Sequence, residues 1–488
     1  MTVSSTGTIS SAGLGSGLDV KSIVAQMVAV ESQPITDLQT AATGLKSQLS
    51  SFGQVQSYMS ALRDAAQKLT NASTWSATTA TSSDASTISA TVSDAGVSGN
   101  YSMTVSQLAA AESAASSPFA SSAATVGAGS LTITLGKWSA DQSSFTAKSG
   151  ATPVNVTIGA GDSLQTIANK VNGAGAGVTA SIVTDSNGSR LSIRSKDSGE
   201  ENAFRITAAD DDGNNTDATG LSALAYDPAG GATGMARKQI ATNALAKING
   251  LDIVSASNTL NNVMDGLSLT LNKTTTTPVN VVVASDTASI STAINTFATA
   301  YNNAMKYMRT QTAYNADNKS AGPLQGDTTA VNIVAALRTM VAGNSSASSV
   351  FRRLTDIGLE PQKDGSLNVN ATKLSTALGK LSEVKKFFST TAATGAPNTD
   401  NGMAQQFNNF TSGMLNSTGA IASRTTSLNS RITDNANRQA AMQDRVDAYQ
   451  KRIQAQYTAL DTKMASLNSL STYVSQQITT LNKSTNNN

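Results

Sequence analysis

From Leu428 to Leu481, apolar side chains recur at a spacing that suits one long helix. Leu460, Met464, Leu467, Ser471, Val474, Ile478 and Leu481 advance by alternating steps of four and three. Upstream, Leu428, Ile432, Met442, Val446, Tyr449, Ile453 and Tyr457 keep the same side apolar. Alternating threes and fours average 3.5 residues per turn, which holds one stripe against a partner helix as the seam of a coiled coil. No proline interrupts the span, and at 1.5 Å per residue it predicts a rod of roughly 80 Å. A rod that long cannot fold back on itself, so its stripe must be covered by something else.

The opposite end of the chain offers a counterpart. Ile23, Met27 and Val30 fall on one helical face, and Pro34 is expected to break that helix or to open a new first turn. A second helix is predicted with Leu45, Leu49, Phe52, Met59, Leu62 and Leu69 on its apolar side, closed by Trp75 as a packing residue. Ahead of these, Gly13-Leu14-Gly15-Ser16-Gly17-Leu18-Asp19 reads as a supple lead, with Ser16 and Asp19 as a capping box. A phosphate cradle is excluded there, because no strand precedes the glycines and no Lys-Ser/Thr pair follows them.

Between about Ser76 and Ser285 the period changes to two. Ile88–Val92, Tyr101–Val105, Leu131–Leu135, Val154–Ile158, Val178–Ile182, Leu191–Ile193, Phe204–Ile206, Leu267–Leu271 and Val279–Val283 all alternate, separated by Gly, Asn and Asp turns. Short alternating runs of this kind predict antiparallel β domains. One helix is embedded among them, with Asp162 capping Leu164, Ile167, Ala168 and Val171. Two seams, 109–129 and 225–236, predict an inserted outer domain between flanks that pair with each other. Helix returns at the N-cap Asp286 with Ile290, Ile294, Phe297, Tyr301, Met305 and Met308 on one face. Val331, Val334, Leu337 and Val341 mark another helix, Asp364-Gly365 a turn before Leu367 and Val369, and residues 389–402 a linker.

The expected fold is therefore α+β and multidomain: a helical, coiled-coil stem made from both termini, with nested, inserted antiparallel β domains. We divide it into a terminal helical leg (1–36 with 430–488), a helical stem domain (37–75 with 286–429), an inner β domain (76–115 with 228–285) and an outer inserted β domain (116–227). The extremities of the leg are short of charge. Residues 1–30 and 464–488 hold three charged side chains in 55 positions, against about 8 at the chain-wide 14%. A helix face of Ser, Thr, Asn and Gln can be buried without stranding an ion. Residues 1–30 and 464–488 are read as disordered alone and helical once assembled.

Composition removes most chemistry. The chain has no cysteine and no histidine, so Cys- or His-based nucleophiles, imidazole switches and thiolate or imidazole zinc sites are excluded. Net charge is +2, which points to neither nucleic acid nor an anionic membrane. Ile23 to Val30 is too short to span a bilayer, so no membrane insertion is expected, and Met1 to Ser11 lacks the pattern of a secretory signal. The acidic run Asp210, Asp211, Asp212, Asn214 and Asp217 has Asn215 and Leu221 where a calcium loop needs glycine and glutamate, and reads as a solvated turn. Glu200 and Glu201 are adjacent in a turn, which is no acid–base dyad. No enzyme, cofactor or metal site is expected.

Gly13 through Val20, followed by Ile23-Val24, Met27-Val28, Glu31 and Pro34-Ile35, resembles the N-terminal signature of the flagellar filament cap, or hook-associated protein 2, family. Ile248-Asn249-Gly250, Ser257 to Leu260 and Gly266 to Leu271 look like the Asn-Gly repeat of flagellin and its hook-associated relatives. Gly322 to Asp327, Ile357 to Leu359, Asp364 to Leu367 and the tail from Tyr457 to Tyr473 are similar to the family's C-terminal half; the likeness is weakest over 116–227. The resemblance implies a homo-oligomeric ring at the tip of the flagellum, with leg-like termini docked on the filament. It also implies flagellin and other hook-associated proteins as partners, and flagellin folding beneath the β plate. Extracellular location would follow export through the flagellar type III apparatus, with a chaperone holding the C-terminal helix beforehand. Candidate assembly and docking residues are Gly13, Leu14, Gly15, Ser16, Gly17, Leu18, Asp19, Ile23, Met27, Val30, Leu460, Met464, Leu467, Val474, Ile478 and Leu481. A filament or junction subunit, and an adhesin binding host glycans through 116–227, are the competing readings.

Overall fold

The computed structural model describes residues 19–93, 96–317 and 319–485. In chain order, helix α1 (Val20–Thr70) is followed by the one-turn α2 (Ala72–Ser76). Strands β1 (Thr78–Ser82), β2 (Ile88–Val92), β3 (Gly99–Gln107), β4 (Ser113–Ser116), β5 (Gly129–Trp138), β6 (Phe145–Ala147) and β7 (Val154–Ile158) precede α3 (Leu164–Gly173). Next come β8 (Val178–Asp185), β9 (Gly188–Ser195), β10 (Ala203–Asp210), β11 (Met235–Gln239) and β12 (Ala244–Ile248). Strands β13 (Leu251–Ser255), β14 (Thr259–Met264), β15 (Leu267–Leu271) and β16 (Val279–Ser285) complete the β region. The remainder is α4 (Thr287–Thr312), β17 (Tyr314–Asn315), β18 (Ser320–Ala321), α5 (Thr328–Ala342), β19 (Leu359–Pro361) and β20 (Leu367–Val369). Helices α6 (Ala371–Leu378), α7 (Leu381–Ser389), α8 (Met403–Leu415) and α9 (Ala420–Thr485) end the chain. Two compact units result, one from the chain up to Ala72 and from Ile290 onward, the other from Ser73–Ser289. The chain is thus α+β, helical towards both ends, with antiparallel β structure inserted in sequence.

In the β unit, period-two alternation places one row of each strand inside. Sheet β1-β16-β3-β12-β13 and sheet β14-β15-β2 supply one core, in which Met103, Val281 and Ile88 are fully covered. The pairings join distant chain: Tyr101 opposes Val281, Met103 opposes Ile248, and Ala90 opposes Leu269, all antiparallel. A second core, from Ala114 to Ala241, is built by sheet β10-β5-β6 with β7, sheet β11-β4-β9-β8 and helix α3. Helix α3 buries Leu164, Ile167, Ala168 and Val171 as its spacing predicts, but its cap is Ser163, whose Oγ accepts from the Thr166 amide at 3.1 Å. Asp162 instead accepts from the Gly159 amide and pairs with Lys170. One residue of offset suffices for this, because both side chains can accept from a backbone donor.

In the helical unit, α1 contributes Phe52, Val55, Met59, Leu62 and Leu69 to a core shared with α4, α7 and α8. Phe407 of α8 packs edge-on against Phe297 and Tyr301 of α4, with centroids 5.0 and 6.1 Å apart. The β19–β20 hairpin is fastened to α4: Asn302 donates to the Leu367 carbonyl at 2.8 Å and accepts its amide at 2.7 Å. Three expectations need correction here. Helix α1 runs through Pro34 without stopping. Proline removes the bond to the carbonyl of Val30, and Val30 is 76% exposed, so water is at hand for that carbonyl. Helix α5 turns Ala330, Ile333, Leu337 and Val341 inward and leaves Val331 outside. The stretch 389–402 is no free linker: the Asn401 side chain accepts the Ala392 amide, and Ser345 Oγ donates to the Asn401 carbonyl.

Candidate docking surface of the terminal helices

Helix α1 begins at Asp19, whose Oδ1 accepts from the Ser22 amide at 3.0 Å. Asp19 is therefore the N-cap itself. The partner expected for it in a capping box, Ser16, lies with Gly13, Leu14, Gly15, Gly17 and Leu18 outside the described residues. From this cap α1 lays Val20 and Val24 against Ile453 of α9, with Met27, Val28, Tyr449 and Tyr457 packed around them. Arg445 closes the edge of this seam on Glu31 at 3.0 Å. The buried face of α1 is thus centred on Val20 and Val24, with Ile23 and Met27 half-buried on its flanks and Val30 pointing away.

Helix α9 outruns this partner. From Ala420 to Tyr457 the seam positions are covered or half-covered, with Ile421, Leu428, Val446 and Ile453 buried. Beyond Tyr457 the same helix continues, yet Leu460, Leu467, Val474, Ile478 and Leu481 are between 44% and 62% exposed, and Met464 is half-buried. Leu470 and Tyr473, which the seam count leaves off the stripe, are exposed as well and broaden it. Burying a large aliphatic side chain completely is worth about 1.5–3 kcal/mol. Five half-covered positions therefore leave roughly 5 kcal/mol of apolar stabilisation unrealised in the single chain. Between Tyr449, Ile453 and Tyr457 the seam takes two steps of four in succession. Such a stutter locally unwinds a coiled coil and turns the stripe relative to its upstream course.

The structure brings Met27 beside Tyr449 and Ile453 and leaves Ile23 half-buried on the flank. It leaves Val30 and the row from Leu460 to Leu481 facing solvent. Sequence reasoning missed the polar clamps. Asp327 is buried, caps α5 by accepting from the amides of Thr329 and Ala330, and also accepts from Arg424 of α9 at 2.8 Å. The signal lay in the sequence as arginines at regular intervals along α9.

Elsewhere the acidic groups are used within the fold. Asp210 is buried rather than solvated, because its Oδ2 accepts the Ser222 amide at 2.8 Å. Glu200 pairs with Lys137. Among the described residues no group of carboxylates could hold a metal ion, and no helix is long and apolar enough to cross a membrane.

Family models agree with this architecture segment by segment. The flagellar hook-associated protein 2 N-terminus matches residues 16–112 and its C-terminus residues 241–469. Flagellar hook-associated protein 2 of Escherichia coli K12 is 30% identical over 384 residues, covering 76% of this chain and 78% of that protein. The chain belongs to the flagellar hook-associated protein 2 family. The B-type flagellar hook-associated protein 2 of Pseudomonas aeruginosa is likewise 30% identical, over 75% of this chain and 77% of its own. The crystal structure of the D1-D2-D3 domains of the flagellar cap protein FliD from Escherichia coli matches with a TM-score of 0.55 at 29% identity. That match covers 78% of this chain and 99% of the other. As a hook-associated protein 2 the chain serves as a flagellar filament cap; a filament or junction subunit, or an adhesin, is not favoured. The flagellin hook IN motif matches residues 144–197, which form β6, β7, α3, β8 and β9. A flagellin-like motif thus lies within 116–227, while residues 248–271 fall inside the match to the hook-associated protein 2 C-terminus.

Proposed function

We propose that this cap holds the filament end through the terminal half of α9, as a homo-oligomeric ring whose apolar strips are covered by sister chains and filament subunits. The observation that carries this is the row from Leu460 to Leu481, left facing water on a stretch of α9 that beyond Lys463 is otherwise mostly Ser, Thr, Asn and Gln. Each side chain contributes little and no ion has to be desolvated, so the grip can be released and remade as subunits are added. Ile23, Met27 and Val30, with the lead Gly13 to Asp19, join the same docking surface.

Flagellin folding and insertion beneath the β plate, contacts with other hook-associated proteins and an extracellular place at the filament tip complete the reading. Export through the flagellar type III route, with a chaperone holding α9 beforehand, is proposed from the family resemblance. The protein acts by binding, without catalysis. The division into leg, stem, inner and outer β parts at 36, 75, 115, 227, 285 and 429 is proposed with it, supported by the separate cores around 88–283 and 114–241. Host-glycan binding through 116–227 stays a secondary proposal, tested by deleting that segment and scoring adhesion and assembly separately.

Two measurements test the central claim. Electron microscopy of the purified chain should show closed rings; unlimited fibres would assign it to the filament instead. Amide exchange in a dilute monomer should be fast over 460–482 and slow down on ring formation. Strong protection in the monomer would sink the docking role.

A further inference from the structure

Helix α9 carries arginine at 424, 431, 438, 445 and 452, one in every seventh position. Each stands three residues after a seam position (Ile421, Leu428, Asn435, Met442, Tyr449), so all five line one flank of the seam. Three are engaged inside the chain. Arg424 donates to Asp327, Arg445 to Glu31, and the Arg452 guanidinium lies 5.2 Å from the Tyr449 ring centre. Arg431 and Arg438 are exposed, and among the described residues neither has an ion-pair partner.

These two arginines stand on the lip of a groove between α1 and α9. One part, about 610 Å³, is lined by Pro34, Leu38, Ala441 and Met442 together with Arg438 and Arg445. The next, about 480 Å³, is lined by Ala41, Gly44, Leu45 and Gln48 with Arg431 and Arg438. Leu38 and Arg438 belong to both, so the groove is continuous. Its floor is small and apolar. A Cβ at Gly44 would meet no atom within 4 Å, so another backbone can approach closely there. The Gln48 Oε1 is buried and has no donor among the described residues. Asp37 and Asp434 also line the groove, and neither closes on an arginine.

We infer that this groove is a second docking site, occupied by an amphipathic helix of a different polypeptide that carries carboxylates one heptad apart. Such a helix lays its apolar stripe over Leu38, Leu45 and Met442 and sets its carboxylates on Arg431 and Arg438, whose spacing along α9 is roughly 10 Å. A second copy of this chain does not fit, since none of its helices bears two carboxylates seven residues apart. The inference is independent of the cap reading and of residues 460–481.

The test uses the full chain and two synthetic helical peptides with the same Leu/Ile seam. One has glutamate and the other glutamine at every seventh flanking position, and binding is followed by fluorescence anisotropy. The glutamate peptide should bind about tenfold more tightly, two partly screened ion pairs' worth, and the gap should narrow with added salt. Arg431→Gln with Arg438→Gln should erase the preference, and Gly44→Leu, whose Cβ meets nothing within 4 Å in the free chain, should weaken both peptides. Equal affinity for the two peptides, no binding of either, or a preference that survives both variants would overturn the inference. Loss of self-association in the arginine variant would overturn it too, by assigning the groove to a second copy.

Discussion

Glu112 is 1% exposed, on the segment that joins β3 to β4. Its Oε2 accepts the Phe204 amide at 2.6 Å, and its Oε1 lies 3.3 Å from the Tyr226 hydroxyl. That hydroxyl has a single proton and sits 2.8 Å from Gln142 Oε1, to which it donates. The contact with Glu112 is then satisfied when Glu112 carries the proton and donates to Tyr226. Burial points the same way, lifting the Glu112 carboxyl to about 7 against the lowering pull of the Phe204 amide and Arg237. Lys137 and Glu200 line the same cavity and already pair with each other.

A carboxyl raised from 4.5 to about 7 is proton-bound in the folded chain where the unfolded chain has released its proton. Stability from this group is therefore complete below pH 4.5, falls as pH rises towards 7, and levels off above, a loss of about 3 kcal/mol. The groups held low, Asp141 and Glu383 at about 2, lose their contribution only in strong acid and leave this window alone. Glu112→Gln keeps an acceptor for Phe204 and a donor for Tyr226 while removing the titration. Urea unfolding at pH 5, 6, 7 and 8 is read from the fluorescence of Trp138, which lies 5.6 Å from the Tyr226 ring, in a Trp75→Phe background. The parent should lose stability from pH 5 to 8, whereas the variant stays level and is the more stable of the two at pH 8. A parent midpoint that is flat or rises over this range, or a variant that tracks it, would refute the reasoning.

Three further outcomes are expected. Asp327→Ala removes the α5 cap and strands half-buried Arg424, costing about 2–4 kcal/mol in urea unfolding, while Asp327→Asn keeps the cap and costs less. Pro34→Ala restores the bond to the Val30 carbonyl and should stabilise the helical unit by about 1–3 kcal/mol, with the new amide at position 34 protected from exchange. Leu467→Ser combined with Val474→Ser and Ile478→Ser should leave monomer unfolding within about 0.5 kcal/mol of the parent, yet abolish closed rings in electron micrographs.

Periodicity carried the fold far because most elements here have one wet face. The row from Ile290 to Met308 is buried as counted, and so are the inward rows of β3, β15 and β16. What escaped depends on pairs distant in sequence or on solvent. Pro34 reads as a break until Val30 is seen to face water. Val331 and Ile333 are both β-branched and apolar, and only packing decides between them. The candidate docking row was legible because its apolar spacing runs on past Tyr457 in the sequence itself. The groove was not, since a regular flank of arginines has meaning only once α1 is known to lie beside α9.

The doubled step of four at Ile453 and Tyr457 has a mechanical consequence. A rod whose adhesive side swings round part-way along can clasp its own chain on one bearing and offer the rest on another. Its two ends then do not compete for one customer, and loosening the outer grip leaves the inner clasp wound.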